Sequence, residues 1–247
     1  MNNLWRYIIV ASAVVLSAMV LAAAYTQRAR MNTGTITVTG LGETEFTSDI
    51  IVVKGNISLE SQDAGEGYRL MEQNRNKVIK FLKEHGVDEQ NVSFDMLSTY
   101  EQTESLYQDG KYIGERFAGY SLTQAYTIES SDVESVEAAA RELSSLITEG
   151  IDIKVYNPMY YYSGLESVKL DLLAAAAADA RERALKIAQS SEAKLGELAM
   201  SRAGVFQITA ATGDEEFSAG GSFNLSSREK KARVTVRSEY KIARMHK

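Results

Sequence analysis

The 247-residue chain is 45% hydrophobic and 24% charged with a net charge of −6, a composition of ordinary globular proteins and a length sufficient for one large domain or two small ones. Its acidity argues against general binding to nucleic acid or anionic lipid, since phosphate attraction needs clustered Lys and Arg. The absence of cysteine excludes disulfides, thiolate catalysis and Cys-ligated zinc.

Tyr7 to Tyr25, YIIVASAVVLSAMVLAAAY, is an uncharged run of 19 residues, close to the roughly 20 that an α-helix needs to cross the hydrocarbon core. Two readings stand. Arg6 before the run and Ala22-Ala23-Ala24 within it fit a cleaved signal peptide. The length of the run, with Trp5, Tyr7 and Tyr25 at interfacial positions, favours an uncleaved membrane anchor. Either one exports the rest of the chain.

After a short linker, GTITVTGLGETEFTSDIIVVKGNISLE alternates apolar and polar residues in two runs, which predicts two strands. Asp63-Ala-Gly-Glu66 is a capping-box pattern, and Tyr68, Met71, Val78 and Leu82 follow at helical spacing up to His85-Gly86. Gly86 suits the left-handed position after a helix C-terminus. Val92 to Tyr100 resumes as a strand, and Asp109-Gly110 between LYQ and KYI is the signature of a two-residue type I′ turn. A long ribbon is therefore expected from about Val92 through Ile128. Ser131 to Glu134 offers a second capping box, followed by the apolar stripe Val133, Val136, Ala140, Leu143 and Ile147 and a stop at Gly150. The strand that comes next, IDIKVYNPMYYY, makes helix, glycine, strand appear twice, an echo of internal duplication.

The third helix is predicted from about Glu166 to Ser191, with Leu165, Val168, Leu172, Ala176, Ala180, Ala184 and Ile187 as its buried stripe. Five consecutive alanines in its middle let its axis come unusually close to what it covers, either a β-sheet or a neighbouring subunit. Asp179 with Arg183 and Glu182 with Lys186 stand four residues apart in the favourable order. Leu195 to Ala211 is strand-like, TGDEEFSAGGSFNLSS reads as loop, and KARVTVRSEYKIA closes with strict alternation. That alternation puts Ala232, Val234, Val236, Tyr240 and Ile242 on one face and Lys231, Arg233, Arg237 and Lys241 on the other, as expected of a half-exposed strand.

Signs of chemistry are few. His85 falls at a helix end and His246 near the last residue, neither with a partner at ligand spacing. No HExxH, G-x-S-x-G or Walker A sequence occurs, and Gly40-Leu41-Gly42 lacks the third glycine and the following helix of a nucleotide fingerprint. Asp214, Glu215 and Glu216 could hold calcium, but three adjacent acids in a Gly/Ser-rich loop lack the spaced ligands of a calcium loop and read as solvated. The densest aromatic stretch, Tyr156 with Tyr160, Tyr161 and Tyr162, admits sheet packing, subunit contact or stacking on a ligand.

Taken together, TITVTGLGE with TSDIIVVKGNISLE, the GYSLTQAYTIE strand, the Gly150-Ile151 turn and LLAAAAADARERALKIAQSSEAKLGEL resemble the SIMPL-domain family of bacterial envelope proteins. The resemblance runs from about Thr33 to Ile242 and is most specific in Ala-x-x-Asp-Ala-Arg-x-x-Ala at Ala176 to Ala184. Ser48-Asp49 departs from the family's more usual Pro-Asp. The resemblance implies an α+β fold, export and, for some members, large ring or cage assemblies; members often carry labels of oxidative-stress defence or outer-membrane antigen. It brings no catalytic residues.

The expectation is thus an α+β protein of antiparallel and mixed sheets covered by about three helices. Residues 1–32 form a transmembrane or signal helix with its linker, and residues 33–247 the SIMPL domain, divisible into α/β halves near 33–149 and 150–247. Its expected role is non-enzymatic, without cofactor or metal: an extracytoplasmic protein, anchored in the inner membrane through Tyr7 to Tyr25 or released after cleavage, that forms a homo-oligomer. Tyr156, Tyr160, Tyr161, Tyr162, Ala176 and Ala180 are the candidate contacts. The alternative is a monomeric binding module for a glycan or cation.

Overall fold

A computed structural model describes residues 3–31, 34–212 and 218–244. Asp214 to Glu216 and His246 lie outside the described residues, as do the side chains of Tyr7 and Tyr25. The chain is α+β and divides into two compact units, one of residues 1–43, 170–205 and 233–247, the other of residues 44–169 and 206–232. This division interleaves along the chain, where the duplicated pattern suggested sequential halves. The reason is that three long elements, β1 (Thr35–Thr47), α4 (Leu165–Ser190) and β11 (Glu229–Arg244), each pass from one unit to the other.

The larger unit is built on β2 (Ile50–Ser61) and β5 (Lys111–Ser130), antiparallel over the whole of β2 from Ile51 opposite Ser130 to Ser61 opposite Tyr120. Around this pair stand β3 (Val92–Phe94) and β4 (Ser98–Gln108) on β5, and β6 (Asp152–Val155) and β7 (Met159–Tyr161) on β2. Two helices, α2 (Ala64–Glu84) and α3 (Val133–Leu143), supply Met71, Val78, Leu82, Val136, Ala139 and Leu143 to a core shared with Ile51, Val53, Ile57, Leu122, Tyr126 and Ile128. Asp63 caps α2 by accepting from the Glu66 N–H at 2.8 Å, and Gly86 follows the helix at φ 83°. In the same unit β9 (Gln207–Ala210) and β10 (Ser222–Phe223) run parallel.

Two expectations shift. The N-cap of α3 is Asp132, not Ser131: its carboxylate accepts from the Ser135 N–H at 3.1 Å. After Leu143 the helix tightens to a 3₁₀ turn over Ser144–Glu149, so the next inward residue comes three positions on, at Leu146, and Ile147 is 56% exposed.

The smaller unit holds α1 (Asn3–Met31), most of α4, β8 (Ala193–Ala203) and the ends of β1 and β11. Its small core is Val38, Ala180, Ala184 and Tyr240, with Ile36 and Leu195 packed against it. Among the described residues no helix is long and apolar enough to cross a membrane. The described part of α1 therefore falls short of the expected span: its consecutive described side chains run only from Ile8 to Ala24.

Candidate functional site

The alanine face of α4 meets glycine. A Cβ added to Gly40 would sit 2.1 Å from the Ala176 carbonyl oxygen and 2.4 Å from the Ala180 nitrogen, and one at Gly42 would sit 2.3 Å from the Leu172 carbonyl oxygen. Strand and helix backbones are thus in direct contact, which alanine on one side and glycine on the other make possible. Asp179 locks the arrangement: it accepts from the Leu41 N–H at 2.8 Å and is held by the Arg183 guanidinium at 2.9 Å. The Arg183 hydrogen bond, then that of Leu41, keeps the Asp179 carboxyl below its usual value. Ala176 and Ala180 are fully buried against the chain's own β1, the β-sheet of the two alternatives expected for this face.

The tyrosines separate. Tyr160 is buried, pairs with Ile51 through β7 and lies beside Glu137; burial first, and then the Glu137 carboxylate, raise its pKa. Tyr161 donates to the Met159 sulfur at 3.9 Å, and the Tyr162 ring packs 4.8 Å from Phe46. Tyr156 is 56% exposed and donates to Asn56 Oδ1 at 3.1 Å. Only Tyr156 and Tyr160 come together, in an open cavity of about 310 Å³ bounded by Glu137, Arg141, Ser144 and Asn157.

A third surface lies on the β4–β5 ribbon. Asp109 and Gly110 both have positive φ, 52° and 75°, as the type I′ turn requires. Tyr107 stands opposite Tyr112 with rings 6.0 Å apart, edge to face, and Phe117 packs edge to face on Tyr120 at 5.1 Å. Thr103 stands opposite Phe117 and Ser105 opposite Glu115 on one face, and a register shift between Leu106 and Tyr107 then brings Tyr112 opposite Tyr107. Tyr107, Tyr112, Ile113 and Phe117 remain 49–67% exposed. The sequence predicted the ribbon but not its aromatic face; the legible signal was a tyrosine on each side of the turn at positions that pair.

Among the described residues no cluster of His, Asp and Glu could hold a metal ion. His85 is occupied at the end of α2, with Nδ1 2.8 Å from the Phe81 carbonyl, Nε2 3.2 Å from Glu142 and its ring stacked on Phe81.

A family model named SIMPL and described as a protein of unknown function (DUF541) matches residues 36–240. The chain belongs to the SIMPL family. Among curated proteins none matches. Of solved structures, a de novo designed protein, Foldit4, aligns at 14% identity with a TM-score of 0.24 over 43% of this chain and 93% of its own. The SIMPL core motif now has a physical reading: its alanines admit the β1 backbone, and its Asp179 accepts from the Leu41 amide while Arg183, outside the motif's fixed positions, holds the carboxylate. Ser48, where the family more often has proline, donates its N–H to the Arg228 carbonyl at 2.9 Å, a bond that proline lacks.

Proposed function

We propose that this SIMPL protein is a non-enzymatic envelope scaffold, held in the membrane by α1 and assembled from copies of itself through the β4–β5 ribbon. The ribbon carries the reading. A two-stranded arm has two open edges, and its aromatic face is left uncovered by its own chain. Tyrosine and phenylalanine supply contact area at low entropic cost, and association would cover both the rings and the edges. The test uses the lack of native cysteine: Tyr112→Cys in the full chain should give a disulfide-linked dimer under mild oxidation, and Lys80→Cys, exposed on α2, should not. Equal linking at both positions, or none at either, would remove the ribbon from the account.

The anchor is supported by the surface of α1. From Ile8 to Ala24 its side chains are all exposed, and its only polar ones, Ser12 and Ser17, donate back to the Ile9 and Ala13 carbonyls at 2.9 and 2.8 Å. Hydroxyls satisfied within the helix suit a hydrocarbon environment. Those 17 residues cover about 25 Å at ~1.5 Å per residue, and Tyr7 and Tyr25 would complete the span. The assignment to the extracytoplasmic side and the connection to envelope or oxidative stress rest on the family resemblance.

A second reading is favoured by the cavity beside Tyr156. Its exposed ring, with Arg141 and Asn157 at the margin, suits a small glycan, which stacks on an aromatic face and hydrogen-bonds at its edge. Saturable glycan binding lost in Tyr156→Ala would favour this reading over the scaffold.

A further inference from the structure

β11 carries four basic side chains on its open face, and they are treated differently. Lys231 pairs with Glu45 at 2.8 Å, Arg233 with Glu43, and Lys241 with Glu197 at 3.4 Å. Arg237 makes no ion pair among the described residues. Its cross-strand neighbour is instead a second cation, since Arg237 stands directly opposite Arg202 of β8. Directly opposed residues on one face of an antiparallel pair have Cβ atoms only about 4.5–5.5 Å apart, and like charges there destabilise the sheet. Neither guanidinium has an ion-pair partner among the described residues, although Lys231, Arg233 and Lys241 of the same face each have one.

The two arginines border an open cavity of about 240 Å³ together with Thr37 of β1, Met200 of β8 and Glu239 of β11. It is smaller than the roughly 300–1,000 Å³ of pockets for drug-sized ligands. Its contents are those of an oxyanion site: two guanidiniums, each able to present parallel N–H groups, and a threonine hydroxyl. Planar guanidinium forks match phosphate oxygens in a bidentate manner that lysine cannot reproduce.

We propose that Arg202, Arg237 and Thr37 form a binding site for a phosphate group, free or carried on a lipid headgroup. The bound anion relieves the repulsion between the two arginines, so the site is most stable when filled. Glu239 on the same rim opposes negative charge, limits the site to a compact anion and sets its affinity below what two arginines alone would give.

The experiment is calorimetric titration of the full chain in a neutral maltoside detergent at constant ionic strength, with inorganic phosphate and with a short-chain phosphatidic acid. Saturable binding of either is expected, weakened about tenfold or more in Arg237→Gln and in Arg202→Gln and strengthened in Glu239→Gln. Binding of phosphatidic acid alone, with the same arginine dependence, assigns the site to a lipid headgroup. Binding of inorganic phosphate at similar strength assigns it to the free anion. Both glutamine variants should melt no lower than the parent without phosphate, because each removes one member of a like-charge pair, and this separates lost binding from lost fold. Absence of saturable binding through the millimolar range, or binding indifferent to Arg237→Gln, overturns the proposal.

Discussion

Gly40 and Asp179 are single positions on which the junction of β1 and α4 turns. In Gly40→Ala the new methyl would meet backbone atoms of α4 at 2.1 and 2.4 Å, and backbone cannot swing aside as a side-chain tip can. Overpacking of this kind costs about 1–3 kcal/mol or more, so the denaturant midpoint should fall clearly; an unchanged midpoint would refute the contact. Asp179 adds a pH dependence whose sign follows from its depressed pKa. The stabilisation is fully present above the unfolded-state value of about 4 and is lost as pH falls through the lower folded value. Asp179→Asn should therefore destabilise the protein at neutral pH and leave the two proteins closer in stability under acid, as thermal melts across pH would read. The alanine stripe was legible in the sequence because it repeats with helical period. Its counterpart was not: Gly40 and Gly42 looked like an incomplete nucleotide fingerprint, since a strand's closest contact lies more than a hundred residues away along the chain.

Most elements could be read from local pattern, and the exceptions have local causes. The α4 helix and the β11 strand follow their predicted bounds closely, and Ala232, Val234, Val236 and Tyr240 are buried on one face of β11 as alternation requires. Ile147 came out exposed because a change of helical pitch leaves no mark in hydrophobicity alone. The tyrosine cluster shows the limit more sharply, as four residues close in sequence found four environments, set by partners Asn56, Glu137, Met159 and Phe46. The ribbon is the element most open to experiment. A double substitution, Tyr107→Ser with Phe117→Ser, removes two exposed rings, neither a member of the buried core, although Phe117 packs on Tyr120, which touches it. It should leave the melting temperature within a few degrees of the parent and reduce self-association by about tenfold or more, because buried aromatics are among the costliest interface residues to lose. A large drop in melting temperature would show that the face serves the fold of a single copy.

At the scale of the molecule, the described residues offer several surfaces, among them the cavity beside Tyr156 and the β4–β5 ribbon. The two units have different characters: the larger has a continuous apolar core under two helices, and the smaller relies on close backbone contact around a few residues. Regions with few buried apolar contacts open most easily, and the smaller unit's core is only Val38, Ala180, Ala184 and Tyr240, so it should lose protection from hydrogen exchange first, with amides of β8 exchanging before those of β2 and β5. The reverse order would contradict the packing described for the two units. Assembly is the central claim, and the most direct test is the absolute mass of the full chain in detergent, by light scattering coupled to size exclusion with the micelle contribution subtracted. The account predicts a discrete multimer that falls to monomer in Tyr107→Ser with Phe117→Ser. A monomer at high protein concentration, or a multimer unchanged by those substitutions, would contradict it.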